Sequence, residues 1–249
     1  MYVPDFLNLA VGFRKYFTAV PAVTDELKRA AYRIRHDVYC KDLGYEALRP
    51  DEMETDAYDA HSAHCLLQSR ANGVYVGCIR LIFARPDDPL RPLPIEKLCA
   101  ATINRARVDP VKLPRDKIAE VSRLAVISSY RRRKGEAKVP ANINKDDFGT
   151  PDKPRFPYIP VGLYLGMMAQ ARQHGIERLL VLTQVRLANH LSRLGVKLHR
   201  IGGAVEHRGP RVPSMIVVND VIGGFGAFVR PLFELIADEI EGGYRDRGP

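Results

Sequence analysis

Charged residues occur in this sequence at positions where a buried sheet is expected to be apolar. Glu120, Ser122 and Arg123 interrupt the otherwise apolar run 118–127. An unpaired charge inside a fold costs several kcal/mol, so such residues must pair with one another if they are buried. The six candidates, three acids and three bases, are Arg35, Asp56, Asp59, Arg80, Glu120 and Arg123. They predict either an ion-pair network that only stabilises the fold or a functional site.

A cluster of carboxylates and arginines can do two kinds of chemistry. Burial raises the pKa of a carboxyl group, so Glu120 on a central strand would be suited to accept a proton near neutral pH, or else it would serve as an ion-pair partner for Arg80 or Arg123. Arg80 and Arg123 can bind a carboxylate through paired hydrogen bonds, or they can hold Asp56 and Asp59 in place. The residue types leave both roles open for these arginines.

The elements that must position these residues follow from periodicity and turn signals. Thr24 is a suitable helix cap, and Asn72-Gly73 between two apolar segments is typical of a tight β-hairpin. In chain order, the predicted elements are helices over residues 6–20 and 24–41, strands over 64–70, 74–83 and 118–127 with a short helix near 95–100, a long polar loop over 131–160, a helix over 161–174, a strand over 178–184, a helix over 185–194, strands over 197–206 and 214–218, and a helix over 227–240.

This order predicts an α/β fold with a mixed central sheet flanked by helices. No glycine-rich dinucleotide fingerprint is present. No composition change marks a linker, so we expect one domain over residues 1–249. Its N-terminal helices occupy 1–45, and a polar loop insertion covers about 131–160.

The positive charge is concentrated in one region. The net charge is +9, and residues 101–155 hold fourteen Lys/Arg against seven Asp/Glu. A solvated face explains such an excess, and so does a docking surface for an acidic partner or a phosphate-bearing cofactor. Aromatic residues are not interleaved with Arg131, Arg132, Arg133 and Lys134, which disfavours nucleic acid as the partner.

Several classes of protein are disfavoured by composition. The four cysteines lack metal-ligand spacing, so we expect reduced, buried thiols and no metal site. No apolar stretch approaches the roughly 20 residues that cross a bilayer. No export signal is evident, and we expect a cytoplasmic protein. The predicted helix over 6–20 either packs on the domain or contacts the inner face of the membrane peripherally.

The spacing of the charged residues resembles the signature of the autoinducer (acyl-homoserine-lactone) synthases, which have a GNAT-like acyltransferase fold. The matching elements are Arg35-x-x-Val38-Tyr39, Tyr45, Asp56-x-x-Asp59, Val76-Gly77-Cys78-Ile79-Arg80 and Glu120-x-x-Arg123. Further segments resemble a related branch, the PEP-CTERM/exosortase system-associated acyltransferases and N-acyl amino acid synthases. These segments are 32–40, 120–133, 187–195 and 205–213, so that the matches extend over about residues 27–215.

The resemblance implies transfer of a long-chain fatty acyl group from acyl carrier protein, or coenzyme A, to the amino group of an amino acid. No cofactor would be tightly bound. It implies catalytic roles for Glu120, Arg123 and Arg80, with Glu120 as the general base in a direct attack. A bulge in the strand would supply backbone N–H donors for the oxyanion.

Substrate and donor contacts are implied for further positions. Arg35, Tyr39, Tyr45, Asp56 and Asp59 would shape the substrate site, and Leu163 and Met167 would line an acyl tunnel or else belong to the core. His207 would have a structural or an acceptor-binding role. The segment Arg131-Arg132-Arg133-Lys134-Gly135 would bind the carrier protein or the cofactor, and residues 132–137 fit a pyrophosphate-binding pattern.

Two alternatives stay open. A lactone-forming synthase would use S-adenosylmethionine, but the sequence has no Trp, carrying Tyr45 at the usual Trp position and Leu124 where Phe is common. A non-enzymatic basic module would bind membrane or nucleic acid through residues 101–155.

Overall fold

The computed structural model describes residues 8–85, 87–88, 91–131, 149–150, 153–154, 156–184 and 196–246, with only the backbone at 149–150 and 153–154. The helices are α1 (Leu9–Tyr16), α2 (Asp25–Arg35), α3 (Pro94–Leu98), α4 (Tyr158–Gln173), α5 (Val218–Gly223) and α6 (Arg230–Arg245). The strands are β1 (Phe17–Pro21), β2 (Ser62–Ser69), β3 (Tyr75–Phe83), β4 (Ile118–Val126), β5 (Gly149–Thr150), β6 (Lys153–Pro154), β7 (Arg178–Thr183), β8 (His199–Arg200), β9 (Val205–Glu206) and β10 (Pro210–Val217).

One mixed sheet organises the fold, as predicted, and it has eight strands. Its order is β1-β2-β3-β4-β7-β10-β8, with β9 paired to β10. Neighbouring strands are antiparallel except for β4 and β7, which run parallel. The hairpin of β2 and β3 and the βαβ unit of β4, α4 and β7 both agree with the sequence analysis, and β5 pairs with β6 in a separate small sheet.

The N-terminal helix is shorter than predicted. It ends at Tyr16, and Phe17–Pro21 is an edge strand that pairs antiparallel with β2. Pro21 is tolerated because it lies at the end of an edge strand. Leu9 and Phe13 of α1 are buried in the main core, so the packed interpretation of this helix is the one that its contacts support. In the described part of the chain, no helix is long and apolar enough to span a membrane.

The second helix begins as predicted and changes pitch before its end. Thr24 Oγ1 accepts a 3.3 Å hydrogen bond from the Leu27 N–H. After Arg35 the chain continues as a π-helical turn over His36–Asp42, which carries Tyr39 toward β4. Such turns are frequent at functional sites.

Both faces of the sheet are covered by helices. Leu66 and Cys78 face α2, whereas Cys65 and Ile79 face the core formed with α4 and α6. A Cβ added at Gly166 of α4 would lie 2.5 Å from Cys65 Sγ, so only glycine permits this close approach of helix and strand. The four cysteines are free and buried, as expected.

The C-terminal half differs in detail from the predicted elements. The predicted strand over 197–206 is two short strands, β8 and β9, and the strand predicted at 214–218 begins four residues earlier, at Pro210. The last helix covers Arg230–Arg245 rather than 227–240. The helix predicted over 185–194 and most of the polar loop lie outside the described residues.

Candidate active site

A buried ion-pair network joins α2, β3, β4 and the loop before β2. The Arg35 side chain is completely buried, and its Nε donates to Glu54 Oε2 at 2.5 Å. Its two terminal nitrogens donate to the Asp59 carboxylate at 2.6 and 3.0 Å. Arg35 therefore anchors the loop 54–59 to the helix, and both of its acidic partners are themselves nearly inaccessible to water.

Two strand arginines complete this network. Arg80 Nη1 donates to Asp56 at 2.8 Å and to Asp59 at 2.7 Å, and Arg80 Nε donates to Ser122 Oγ at 3.0 Å. Arg123 Nη2 donates to Glu54 Oε1 at 3.0 Å and to Asp56 Oδ2 at 3.2 Å. The structure thus brings together five of the six charged residues that the sequence analysis grouped.

Glu54 is the third acid of the network and was missed by the sequence analysis. It is 2% exposed. Burial raises the pKa of Glu54, but the hydrogen bonds and charges of Arg123 and Arg35 more than offset it, and the pKa falls to about 2. Its spacing in Glu54-x-Asp56-x-x-Asp59 is the only local signal that could have found it.

Glu120, which the sequence analysis placed in the network, lies apart from it. Its Oε2 accepts a 2.7 Å hydrogen bond from the Ile95 N–H at the start of α3. Within the described residues it forms no ion pair, so the alternative role as partner of Arg80 or Arg123 is not what the geometry shows. Burial raises the pKa of Glu120 to about 8, although the Ile95 hydrogen bond and the Arg80 charge lower it.

Asp56, Arg80, Glu120 and Arg123 face one cavity of about 620 Å³. Of the residues singled out from the sequence, seven line it: Tyr39, Tyr45, Asp56, Arg80, Glu120, Arg123 and His207. Arg35 and Asp59 lie behind the wall, where they hold Asp56 and Arg80 in place.

The residue of α4 that lines the cavity differs from the two that the sequence analysis named. Leu163 and Met167 are buried in the main core and do not line the cavity, whereas Tyr164 does. Adjacent helical residues point in different directions, and the packing of α4 on α6 turns Tyr164 toward the cavity. The structure therefore supports the core role for Leu163 and Met167.

The strand β4 separates from its parallel neighbour within this cavity. The β4–β7 pairing runs from Ile118↔Arg178 to Val121↔Val181 and goes no further. Beyond that point β4 bulges against β3, because Cys78 pairs with Ala125 while Arg80 pairs with Ser122. Arg123 lies in the bulge with φ of 52°, a left-handed conformation that is uncommon for arginine. The predicted bulge is present.

A second group of cationic residues also lines the cavity, and one of them, Arg208, shares the carboxylate of Glu46 with Arg123. Arg208 donates to Glu46 Oε1 at 2.5 Å, and its guanidinium lies 4.8 Å from the centre of the Tyr45 ring. Arg211 at the start of β10 donates from Nε to the His207 carbonyl at 2.7 Å. No periodicity identified Arg208 and Arg211, because Arg208 lies in the turn between β9 and β10 and Arg211 lies at the beginning of β10.

Only one residue of the basic segment can be placed. Arg131 forms an ion pair with Asp42 at the end of the π-helical turn. The predicted roles of Arg132, Arg133, Lys134 and Gly135 concern residues outside the part of the chain that the structure describes. Among the described residues, no group of His, Cys, Asp and Glu side chains could hold a metal ion.

The sheet, the splayed parallel pair and the cavity define a GNAT-like acyltransferase fold, and residues 34–139 match the family model described as acetyltransferase (GNAT) domain. The match and the fold together support an enzyme of the acyltransferase class. Comparison with curated proteins gives no significant match.

Solved structures of two kinds of synthase have the same fold. The AHL synthase LasI is 18% identical with a TM-score of 0.55, covering 85% of this chain and 96% of its own. MesI, a CoA-dependent acyl-homoserine lactone synthase, is 21% identical with a TM-score of 0.53, covering 89% and 95%. FeeM, an N-acyl amino acid synthase from uncultured soil microbes, is 17% identical with a TM-score of 0.51, covering 84% and 94%.

Proposed function

We propose that this chain is an N-acyltransferase that moves a long-chain fatty acyl group from acyl carrier protein to the amino group of an amino acid. The observation that carries the proposal is Glu120, a buried carboxyl group with a pKa of about 8 in the wall of the cavity. An amino acid is protonated at its amino group near neutral pH, so a nearby base is needed before the nitrogen can attack a thioester.

The proposed reaction is a direct aminolysis. The ammonium form of the acceptor first loses one proton through Glu120 to solvent. The neutral amine nitrogen then attacks the thioester carbonyl, which becomes an oxyanion, and Glu120 accepts the second proton from that nitrogen. Backbone N–H groups of the bulged strand β4 stabilise that oxyanion. The intermediate then collapses to the amide, the C–S bond breaks, and the thiolate leaves with the proton that Glu120 held.

A covalent acyl-enzyme is not part of the proposal. Complete burial raises the pKa of the Cys65 thiol, and burial raises that of Cys78 to about 12, so neither is a ready thiolate nucleophile. Cys40 and Cys99 are likewise buried, with their pKa values raised. In the described residues, the cavity wall contains no cysteine.

Acyl carrier protein is the donor we favour. The net charge of +9 and the basic segment Arg131–Lys134 suit an acidic carrier, which would dock in a salt-dependent way. Acyl-coenzyme A is the other donor to test, since MesI is described as CoA-dependent. We also propose that the chain is related to the exosortase-associated acyltransferases. We propose a cytoplasmic location as well, because acyl carrier protein is found there.

Mass spectrometry of lipid extracts tests the proposal. Cells expressing the wild-type chain, Glu120→Gln and the matched control Glu177→Gln, an exposed residue outside the cavity, are compared with an empty vector. We expect a long-chain N-acyl amino acid with the wild type and with Glu177→Gln, and at least about a 100-fold loss with Glu120→Gln. Equal product from Glu120→Gln would contradict the assigned base.

The same experiment separates the alternatives. The similarity to LasI and MesI makes a lactone-forming synthase the first alternative to test. Such an enzyme would release methylthioadenosine from S-adenosylmethionine. A non-enzymatic basic module would form no amide at all, and its binding would depend on Arg131–Lys134 but not on Glu120. Folded, soluble protein that transfers no acyl group from either donor would contradict the proposal.

A further inference from the structure

Where the chain is described, most of the cationic residues of the cavity wall are paired with acids, and two are not. Arg80 and Arg123 are held by carboxylates of the buried network, and Arg208 is held by Glu46. Lys97 and Arg211 also line the cavity, and neither has an acidic partner within ion-pair distance among the described residues. Lys97 is exposed to solvent, whereas Arg211 is half-buried.

Arg211 is held in a fixed orientation. Its Nε donates a 2.7 Å hydrogen bond to the His207 carbonyl. Across the described part of the chain, its two terminal nitrogens have no hydrogen-bond partner. The terminal edge of the guanidinium is therefore left to donate two parallel hydrogen bonds, which is the geometry that a carboxylate accepts.

An unpaired cation in this position is costly without an anion. Burial lowers the pKa of Arg211, and the neighbouring Arg208 charge adds to that effect against the opposing influence of Tyr39 and Tyr45. A partly desolvated charge of this kind gains most from a ligand of opposite sign. Arg80 and Arg123, which the sequence analysis left as candidates for carboxylate binding, already use their guanidinium groups within the network.

We infer that Arg211 binds the α-carboxylate of the acceptor, so that the cavity selects amino acids over plain amines. The inference rests on the proposed function and specifies its acceptor site. In this arrangement the acceptor is held by the β10 wall while its amino group faces β4, where Glu120 lies. S-adenosylmethionine carries the same α-amino and α-carboxylate groups, so it would use the same contact.

The test compares each amino acid with the amine that lacks its carboxylate. The pairs are leucine with isopentylamine and phenylalanine with phenethylamine, each acylated from long-chain acyl carrier protein by purified wild type, Arg211→Gln, Arg211→Lys and the control Arg29→Gln. Arg29 is an exposed residue of α2. We expect Arg211→Gln to lower the kcat/KM ratio of amino acid to amine by at least about 30-fold, the lower end for losing a buried charge partner.

The other variants sharpen the result. Arg211→Lys should retain part of the selectivity because it keeps the charge, and Arg29→Gln should match the wild type. An equal loss for amino acids and amines would overturn the inference, since that outcome indicates a structural role. A change confined to the KM of the acyl donor would also overturn it, because the phosphate of the donor would then be the ligand.

A binding measurement separates this inference from the proposed function. Leucine, phenylalanine or S-adenosylmethionine at millimolar concentration should raise the Tm of the wild type and not that of Arg211→Gln. If the wild type transfers no acyl group but still shows this difference, the proposed function fails while the carboxylate site stands. If neither protein responds to any of the three compounds, the carboxylate site is wrong.

Discussion

The hydroxyl group of Tyr39 donates a 2.8 Å hydrogen bond to the main-chain carbonyl of Leu124. This contact joins the π-helical turn after α2 to the bulge of β4, which are 85 residues apart in the chain. The guanidinium of Arg123 lies 5.6 Å from the centre of the Tyr39 ring, so the same tyrosine supports the neighbouring residue in its left-handed conformation. The position of the bulge thus depends on a side chain from another element.

Replacing Tyr39 by Phe removes this hydrogen bond while keeping the ring. We expect the free energy of unfolding to fall by about 1 kcal/mol, as for a typical hydrogen bond. We also expect kcat to fall more than KM changes, because backbone donors in the bulge act mainly on the transition state. Tyr16→Phe, at an exposed position, is the control. An unchanged kcat in Tyr39→Phe would show that the bulge holds its shape without the hydroxyl.

The rate of amide formation should depend on the ionisation of Glu120. Because its pKa is about 8 and a base must be deprotonated, kcat/KM should rise as the pH increases and level off above about 8. The acceptor amino group also titrates, so the profile is measured with two acceptors of different amine pKa. If the pH profile of kcat/KM shows only a pKa that changes with the acceptor amine, and no pKa common to both acceptors, the role of Glu120 is contradicted.

The free energy of unfolding should fall over a pH range in which kcat/KM rises, and Glu120 should be the cause of both. The pKa of Glu120 is about 8 in the fold against an ordinary value of 4.5, so the folded state binds the extra proton between these values. Stability should therefore decline from about pH 4.5 to about 8. Glu120→Gln cannot ionise and should be more stable than the wild type at pH 8 but not at pH 4, measured by urea denaturation. Glu177→Gln should show no such pH-dependent gain.

Glu54 should have the reverse dependence. Its pKa of about 2 lies below the ordinary 4.5, so its contribution is complete above about pH 4.5 and is lost as the pH falls toward 2. Glu54→Gln leaves Arg35 and Arg123 short of one charge, and we expect a loss of about 3–5 kcal/mol at pH 7. Its acid unfolding limb should be shallower than that of the wild type. Glu52→Gln, which removes only an ion pair with Lys41 at the surface, should change the acid unfolding limb far less than Glu54→Gln does.

Gly77 provides a steric test of the bulge. A Cβ at Gly77 would lie 2.8 Å from the carbonyl oxygen of Ala125, a backbone atom that cannot move aside independently. We expect Gly77→Ala to cost about 1–3 kcal/mol, as for other overpacked sites, and to reduce kcat. In Gly242→Ala the added methyl group meets no atom within 4 Å. That variant should be up to about 1 kcal/mol more stable, and thermal unfolding of both measures the contrast.

The charged residues could be predicted to pair with one another where the sequence placed them on buried elements, because an unpaired buried charge is costly. Arg35, Asp56, Asp59, Arg80 and Arg123 had to find partners once their elements were buried, and they did. Glu54 lies in an irregular loop with no periodicity to mark it. Pairing with Arg80 or Arg123 was one of two roles considered for Glu120, and the geometry does not show it, because the Glu120 carboxylate accepts its hydrogen bond from Ile95, whose position depends on how the chain folds back after β3.

Non-local contacts account for the other differences. Residues 17–20 have helical spacing, but β2 offers them hydrogen bonds from almost fifty residues away, and pairing outweighs propensity. The rotation of α4, which directs Tyr164 to the cavity and Leu163 to the core, is set by its packing on α6. No local pattern in a single sequence indicates how far α4 is rotated about its axis.

The buried network holds three arginines and three carboxylates on α2, β3, β4 and the loop 54–59, and Glu46 connects Arg123 of this network to Arg208. Arg211 lies on β10, beyond the gap between β4 and β7. If Arg211 binds the acceptor as inferred above, substitutions at this one position would change which acceptor the cavity binds, while the three buried arginines would keep their carboxylate partners. Acceptor preference could then differ among related proteins that share this fold. Protein engineers could vary position 211 while keeping the buried network of arginines and carboxylates.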